Sequence, residues 1–188
     1  MGKASNNSPL RGTRGRLGKI AVFKEVRGKT VTSNMPKEFK SNSPKQVVVK
    51  KTFSKASYYA KRQQQKPEVK ALYQTGINAK KHSAYVVAMS DYLKAPEIEP
   101  VNKLGYTGAI GQQILIEATD DFNVTKVSVV IQDAAGAEIE RGDATSNIDV
   151  LFQWVYTTTA VNPALAGSKI MVTAVDVAGN MTVRTETL

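Results

Sequence analysis

Four aspartates near the ends of predicted strands carry the ligand chemistry of a calcium site. Asp120, Asp121, Asp149 and Asp176 offer hard carboxylate oxygens, which are the ligands that Ca²⁺ prefers. Their spacing is not that of a dense acidic loop, and aspartate at a strand end ordinarily forms a turn. We therefore favour turns at these positions and expect no metal and no other cofactor.

Residues that would support enzymatic chemistry are scarce. The single histidine, His82, would need a nucleophile and an orienting carboxylate to act as a base, and the sequence singles out neither. Gly15 and Gly18 have no Walker Lys-Ser/Thr pair after them, so they indicate turns rather than a phosphate-binding loop. Cysteine is absent, which excludes thiolate chemistry and disulfides. We expect a protein that is not an enzyme and has no small-molecule substrate.

The cations of the N-terminal half are the most distinctive feature of the chain. Residues 1–81 hold 20 Lys and Arg against three Glu, a net charge of +17, whereas residues 82–188 hold 6 against 13 Asp and Glu, a net charge of −7. Such an excess, interleaved with Gly, Ser, Asn and Tyr, is typical of phosphate-backbone binding. The predicted polyanion-binding residues are Lys3, Arg11, Arg14, Arg16, Lys19, Lys24, Arg27, Lys29, Lys50, Lys51, Lys55, Lys61 and Arg62. No base-reading motif accompanies them, so binding to nucleic acid would be independent of its sequence.

The same basic half is also suited to tether the chain to a neighbouring subunit. The opposite charges of the two halves favour head-to-tail association between copies. The predicted assembly anchors are Leu10, Leu17, Ile20 and Phe23. We favour the tether over nucleic acid, because the segment 17–31 is more apolar than phosphate binding requires.

Local patterns predict how the N-terminal residues are arranged. Residues 1–16 contain too few large apolar side chains to repay their ordering entropy, so they are predicted to form an arm. Apolar alternation on both sides of Arg27-Gly28 predicts a short β-hairpin between residues 17 and 33. Residues 1–42 are therefore interpreted as a basic arm with a short β-hairpin.

A small helical region is predicted over residues 43–96. Ser43, Pro44 and Gln46 form a capping-box pattern, which starts the first helix at Pro44. The predicted apolar stripe of this helix is Val49, Phe53, Ala56 and Ala60. A second helix is predicted from Pro67 to near Gly76, and a third from after Ser83 to before Pro96.

From about residue 106 the apolar period becomes two. Segments 114–118, 127–131, 152–156 and 170–174 alternate between the two faces of a strand, and turn residues separate them. Six or seven such strands predict an all-β antiparallel sandwich over residues 100–188, with Trp154 in its core. The predicted fold class of the whole chain is α+β.

The last hairpin carries a family resemblance. Residues 170–180 read Ile-Met-Val-Thr-Ala-Val-Asp-Val-Ala-Gly-Asn, which resembles the D-x-A-G-N hairpin near the end of bacterial immunoglobulin-like domains. This resemblance implies an immunoglobulin-like sandwich and no particular activity. The N-terminal part is similar to small uncharacterised basic proteins of bacteria and their phages or mobile elements, through Gly15, Gly18, Gly28, Lys29, Val31, Pro36, Gln46, Phe53 and Tyr59-Ala60-Lys61.

These observations predict a non-enzymatic structural or assembly protein, such as a component of a filament, a shell or a phage-like particle. We expect a homo-oligomer whose basic arm binds neighbouring subunits or nucleic acid. A nonspecific nucleic-acid-binding protein with an accessory immunoglobulin-like module is the alternative, and a surface adhesin is less favoured. The sequence has no signal-peptide pattern and no apolar stretch long enough to span a bilayer, so we expect a location in the cytoplasm or within a particle.

Overall fold

The computed structural model describes residues 2–3, 12–26, 28–35 and 42–188 of the chain. These residues form a mixed α+β fold made mostly of strands, with three helices and three four-stranded antiparallel sheets. The chain divides into two compact units, Met1–Val47 and Val48–Leu188. Within the described ranges, no helix is long and apolar enough to cross a membrane.

The first unit contains one small sheet built around the predicted hairpin. Its strands are β1 (Gly2–Lys3), β2 (Gly15–Leu17), β3 (Ala21–Val26) and β4 (Lys29–Asn34), in the spatial order β1-β4-β3-β2. The antiparallel pairing of β3 with β4 confirms the hairpin, with Val26 opposite Lys29 at its closed end. Strands β1 and β2 were not predicted, because backbone pairing with the hairpin does not require apolar side chains.

All three predicted helices are present: α1 (Pro44–Gln63), α2 (Pro67–Gln74) and α3 (Ala84–Leu93). The capping box of α1 is formed in both directions. The Ser43 backbone N–H donates to Gln46 Oε1 at 3.0 Å, and the Gln46 backbone N–H donates to Ser43 Oγ at 3.3 Å. Ser83 caps α3 by accepting a hydrogen bond from the Val86 backbone N–H.

The apolar stripe predicted for α1 is wrong over its first half. Ala56 and Ala60 are fully buried, but Val49 is 66% and Phe53 is 51% exposed. The packing of the helix is concentrated near its C-terminal end, where Tyr59 packs on Tyr92 at a ring distance of 5.0 Å. The periodicity identified the correct face of the helix but not how much of it is covered.

The second unit contains two further sheets and one apolar core that draws on both. The strands are β5 (Glu97–Ile98), β6 (Gln113–Thr119), β7 (Val124–Gln132), β8 (Glu138–Asp143), β9 (Thr145–Ser146), β10 (Gln153–Thr157), β11 (Lys169–Asp176) and β12 (Met181–Thr187). Their spatial orders are β5-β6-β10-β9 and β12-β11-β7-β8. Buried side chains from β6 and β10 of one sheet and from β7 and β11 of the other form a single cluster. The alternation of apolar residues therefore predicted the buried faces of β6, β7 and β11 correctly.

The predicted central position of Trp154 needs correction. Its indole packs against the core but is only partly buried, whereas Tyr156 on the same strand is buried. Phe152, predicted to share this face, lies outside β10 with φ at 64° and is exposed. Trp154 instead lines a cavity of about 360 Å³ together with Leu151, which explains its partial exposure.

The helices pack on the sheets through a second apolar cluster. Tyr73 and Val87 are buried in it, and Phe122 and Val177 from the sheet region pack against them. Gly76 permits this close approach, since a Cβ atom there would lie 2.7 Å from the Phe122 ring. The helices from Val48 on and these two sheets thus belong to one compact unit. The predicted ranges 1–42, 43–96 and 100–188 remain predictions about independent folding.

We expect residues 100–188, expressed alone, to fold cooperatively but to be less stable than residues 48–188. The truncation uncovers Phe122 and Val177, and uncovering one large apolar side chain costs about 1.5–3 kcal/mol. Urea unfolding followed by circular dichroism measures the difference. Absence of any cooperative transition in residues 100–188 would show that residues 48–99, which include the helices and β5 with the core residue Ile98, are required for folding.

Candidate functional site

Three carboxylates from three different elements meet where α3 packs on the sheets. Asp91 lies on α3, Asp120 directly follows β6, and Asp176 is the last residue of β11. One carboxylate oxygen of each lies within 4.8 Å of the other two, and Asp91 is 0% exposed. We call these three residues the carboxylate cluster. Three negative charges this close, two of them on buried residues, are unfavourable without a counter-charge or a proton.

The position of Asp91 follows from the buried stripe of α3. Ala84, Val87 and Ala88 are buried, and Asp91 continues their helical spacing toward the interior. The Tyr73 hydroxyl donates to Asp91 Oδ2 at 2.6 Å, and Tyr59 shares a hydrogen bond with Tyr73 at 2.8 Å. Burial raises the pKa of Asp91 to about 7; the Tyr73 hydrogen bond opposes this shift, and the charges of Asp176 and Asp120 add to it.

Asp176 and Asn180 are the first and last residues of the D-x-A-G-N motif in the closing hairpin, and Asn180 holds the Asp176 carboxylate in place. The Asn180 backbone N–H donates to Asp176 Oδ1, and its side-chain amide donates to Asp176 Oδ2, both at 2.7 Å. The same amide donates to the backbone carbonyls of Asp91 and Lys94, each at 2.9 Å. Burial raises the pKa of Asp176, and the bonds from Asn180 lower it in part. The hairpin motif therefore attaches the β11–β12 turn to the end of α3.

Two oxygens of the cluster have no hydrogen-bond donor within the described part of the chain. Asp120 Oδ2 accepts from the Phe122 backbone N–H at 2.9 Å, and Asp91 Oδ2 accepts from Tyr73. The remaining oxygens, Asp91 Oδ1 and Asp120 Oδ1, are buried and accept from no donor among the described residues. Buried carboxylate oxygens without donors are costly unless a proton or a cation compensates them.

Asp121 is adjacent to Asp120 but belongs to a separate ion-pair network. Lys81 pairs with Asp121 Oδ2 and also donates to its backbone carbonyl at 2.6 Å, while Lys94 donates to Asp121 Oδ1 at 2.7 Å. Ser90 Oγ donates to Asp121 Oδ2 at 2.5 Å. Burial acts to raise the pKa of Asp121, but the hydrogen bonds from Lys81, Lys94 and Ser90 outweigh it and hold the pKa well below its ordinary value.

The four aspartates considered from sequence are thus separated. Asp120 and Asp176 meet in the carboxylate cluster, Asp121 pairs with lysines, and Asp149 is an exposed turn residue whose backbone N–H donates to Asn147 Oδ1. Sequence reasoning missed Asp91. The helix α3 has apolar side chains on more than one face, so periodicity alone did not place Asp91 beside the buried Ala84, Val87 and Ala88.

A second buried acid, Glu140, is hydrogen-bonded through one oxygen, while its Oε1 is buried without a donor among the described residues. Its Oε2 accepts from the Tyr156 hydroxyl, from the Thr159 backbone N–H and hydroxyl, and from the Ala160 backbone N–H, at 2.7–3.2 Å. These bonds fix the segment after β10 against β8. Burial, together with the charge of Glu140, raises the pKa of Tyr156 to about 12.

The structure places most of the predicted polyanion-binding residues on exposed surfaces. Those exposed are Arg14, Arg16, Lys19, Lys24 and Lys29 in the first unit, and Lys50, Lys51, Lys55, Lys61 and Arg62 on α1. Lys3 lies in β1, and Arg11 and Arg27 lie outside the described residues. Arg14 pairs with Glu25, which leaves it less available to an external anion. Binding of a polyanion by this set remains a prediction.

The predicted assembly anchors are also largely at the surface. Leu17 and Ile20 are exposed, and Phe23 on β3 is half-buried. Leu10 lies outside the described residues. Exposed apolar side chains are suited to a partner contact, so their role as anchors remains a prediction.

No protein-family model matches this chain, and neither does any curated protein. Its function must therefore be inferred from its own surfaces and buried groups.

Proposed function

We propose that this chain is a non-enzymatic structural protein that assembles with copies of itself through α1 and the basic N-terminal half. The exposure of the first three turns of α1 carries this proposal. Every residue from 44 to 55 is exposed, and the exposed set includes the large apolar side chains Val47, Val48, Val49 and Phe53.

An uncovered helix of this kind is expected to have a partner. Most of the stability of a protein helix comes from tertiary packing of one face, and the first half of α1 has little such packing among the described residues. Contiguous exposed apolar side chains usually mark an interaction surface. Lys50, Lys51 and Lys55 lie among them and favour a partner surface of negative charge.

A second copy of the chain supplies such a surface. Glu97 and Glu99 lie at β5, beside Glu117 of β6, and all three side chains are exposed. The Glu99 backbone N–H donates to the Glu117 carbonyl, so these glutamates are neighbours on one sheet edge. We call them the acidic edge. Contact between α1 of one copy and the acidic edge of the next would be heterologous and would propagate into a filament or close into a ring.

We also propose that the two sheets of the second unit form an immunoglobulin-like sandwich. A single apolar cluster drawn from two four-stranded antiparallel sheets supports this, as does the closing D-x-A-G-N hairpin. In the assembly, this module would be the body that α1 links to the next copy.

Replacing Val49 and Phe53 together by Ser is expected to weaken self-association at least about tenfold, because apolar anchors supply most of the affinity of an interface. Size-exclusion chromatography with light scattering measures the oligomeric state. The matched control is Leu104→Ser, which removes a side chain that is 93% exposed in a turn, and should leave oligomers intact. Unchanged oligomers in the double variant would refute the role of α1.

The nucleic-acid alternative is tested by replacing Lys50, Lys51 and Lys55 with Gln. If α1 neutralises phosphates, the affinity of the wild-type chain for DNA should fall as the salt concentration rises. In the variant, the slope of log binding constant against log salt concentration should be shallower by about 0.9 for each phosphate that is no longer neutralised. If the protein is monomeric and its DNA binding depends on these lysines, nucleic-acid binding rather than assembly would be its function. Loss of oligomers without a change in DNA binding would support assembly.

A further inference from the structure

We propose that the carboxylate cluster is a calcium site, in which Asp91, Asp120 and Asp176 hold one Ca²⁺ between α3 and the sheets. This inference concerns a buried site and does not depend on the proposed assembly.

The separation of the three carboxylates fits a single ion. Ca²⁺ binds oxygens at about 2.3–2.6 Å, so ligands on opposite sides of it are about 4.6–5.2 Å apart. One oxygen from each of Asp91, Asp120 and Asp176 lies within 4.8 Å of the others. The ligands come from a helix, a loop and a strand end, so a bound ion would connect three elements.

The two unpartnered oxygens are the second, independent observation. Asp91 is 0% exposed, and its Oδ1, like Oδ1 of Asp120, is buried without a donor among the described residues. The other oxygen of each of these carboxylates accepts a hydrogen bond, from Tyr73 and from the Phe122 backbone N–H respectively. Hydrogen bonds of this kind orient ligating carboxylates, and they leave one oxygen of Asp91 and one of Asp120 without a donor, whereas both oxygens of Asp176 accept from Asn180.

The surroundings supply little competing positive charge, and one of the three carboxylates lies beside an open cavity. The neighbouring ammonium groups of Lys81 and Lys94 both pair with Asp121. Asp120, one of the three cluster residues, also lines an open cavity of about 470 Å³ together with Lys94, Glu97 and Thr119. A hard cation compensates three carboxylates better than any group that this part of the chain provides.

A shared proton is the competing explanation. Protonated Asp91 would donate to Asp120 and satisfy the same two oxygens without an ion, since burial raises the pKa of Asp91. The two explanations predict opposite results for Asp91→Asn. Asparagine removes a calcium ligand, whereas it reproduces the donor of a protonated acid.

The test titrates CaCl₂ into the full chain after treatment with EDTA. Calorimetry should give one ion per chain, and a hundredfold excess over the dissociation constant should raise Tm by about 5 °C or more. Asp91→Asn should lose both effects, while Asp149→Asn, at an exposed turn, should retain them. The oligomeric state should not change with Asp91→Asn, which separates this test from that of α1.

If calorimetry detects no heat of calcium binding and calcium does not raise the Tm of the wild-type chain, the proposal would be refuted, even if Asp91→Asn does not fold. If the wild-type chain does not bind calcium and Asp91→Asn is as stable as the calcium-free wild type, the cluster would be assigned to a shared proton. Terbium provides a second readout, because Tyr73 donates to Asp91 and would sensitise its luminescence. Displacement of that signal by calcium is expected, and an absent signal would count against the site.

Discussion

Ile116→Ala is expected to lower the free energy of unfolding by about 2–5 kcal/mol, the range for truncating a fully buried aliphatic side chain. Ile116 is 0% exposed on β6 and belongs to the cluster to which both sheets contribute. Its removal leaves a cavity bounded by side chains from both sheets, which limits how far the structure can relax. Urea unfolding followed by far-ultraviolet circular dichroism measures the loss.

The matched control is Val183→Ala on β12. Val183 is 55% exposed, so its truncation should change stability by less than about 0.5 kcal/mol. Fluorescence of Trp154, which is paired directly opposite Ile116, reports whether both variants keep the native register. Equal losses for the two variants would mean that β6 does not face the shared core as described.

Features determined by short stretches of sequence were predictable. The capping box of Ser43 and Gln46 depends only on residues three apart, and its two hydrogen bonds form as expected. The hairpin around residues 27–28 and the alternation of β6, β7 and β11 likewise depend on local pattern. These elements were therefore found without knowledge of the tertiary structure.

Features that depend on how far a neighbouring helix, strand or loop extends were not predictable. The predicted apolar stripe of α1 runs along the whole helix, but its buried residues, Ala56 and Ala60, lie only in the C-terminal part. The periodicity of a sequence does not show how far the neighbouring helices extend. Phe152 continues the alternation of β10 yet lies in the turn before it, with a positive φ that the pattern does not reveal. Trp154 is partly exposed for a related reason, since the cavity beside it is lined by residues of another loop.

The carboxylate cluster also depends on the tertiary structure. Helix α3 carries apolar side chains around most of its surface, so its periodicity does not show that Asp91 is buried. Asp120 and Asp121 are neighbours with similar sequence surroundings, but one joins the cluster and the other pairs with Lys81, 40 residues away. Only the tertiary arrangement decides which of two adjacent aspartates faces the lysines.

Asp121→Ala is expected to destabilise the chain by about 3 kcal/mol, because it leaves the ammonium of Lys81 largely enclosed and unpaired. The side chains of Lys81 and Asp121 are each only 15% exposed, and this pair joins the segment before α3 to the loop after β6. Ser90 Oγ loses its acceptor in the same variant. Chemical unfolding at neutral pH and moderate salt measures the effect.

Lys94→Met is the matched control, since Lys94 pairs with the same aspartate from a side chain that is 62% exposed. Exposed pairs contribute little, so this change should cost less than about 1 kcal/mol. Combining Lys81→Met with Asp121→Ala should cost less than the sum of the two single changes, because neither partner is then left charged and alone. If the losses of unfolding free energy in the two single variants add up to the loss in the double variant, Lys81 and Asp121 do not interact. The helices would then be attached to the sheets chiefly through Tyr73, Val87 and Phe122.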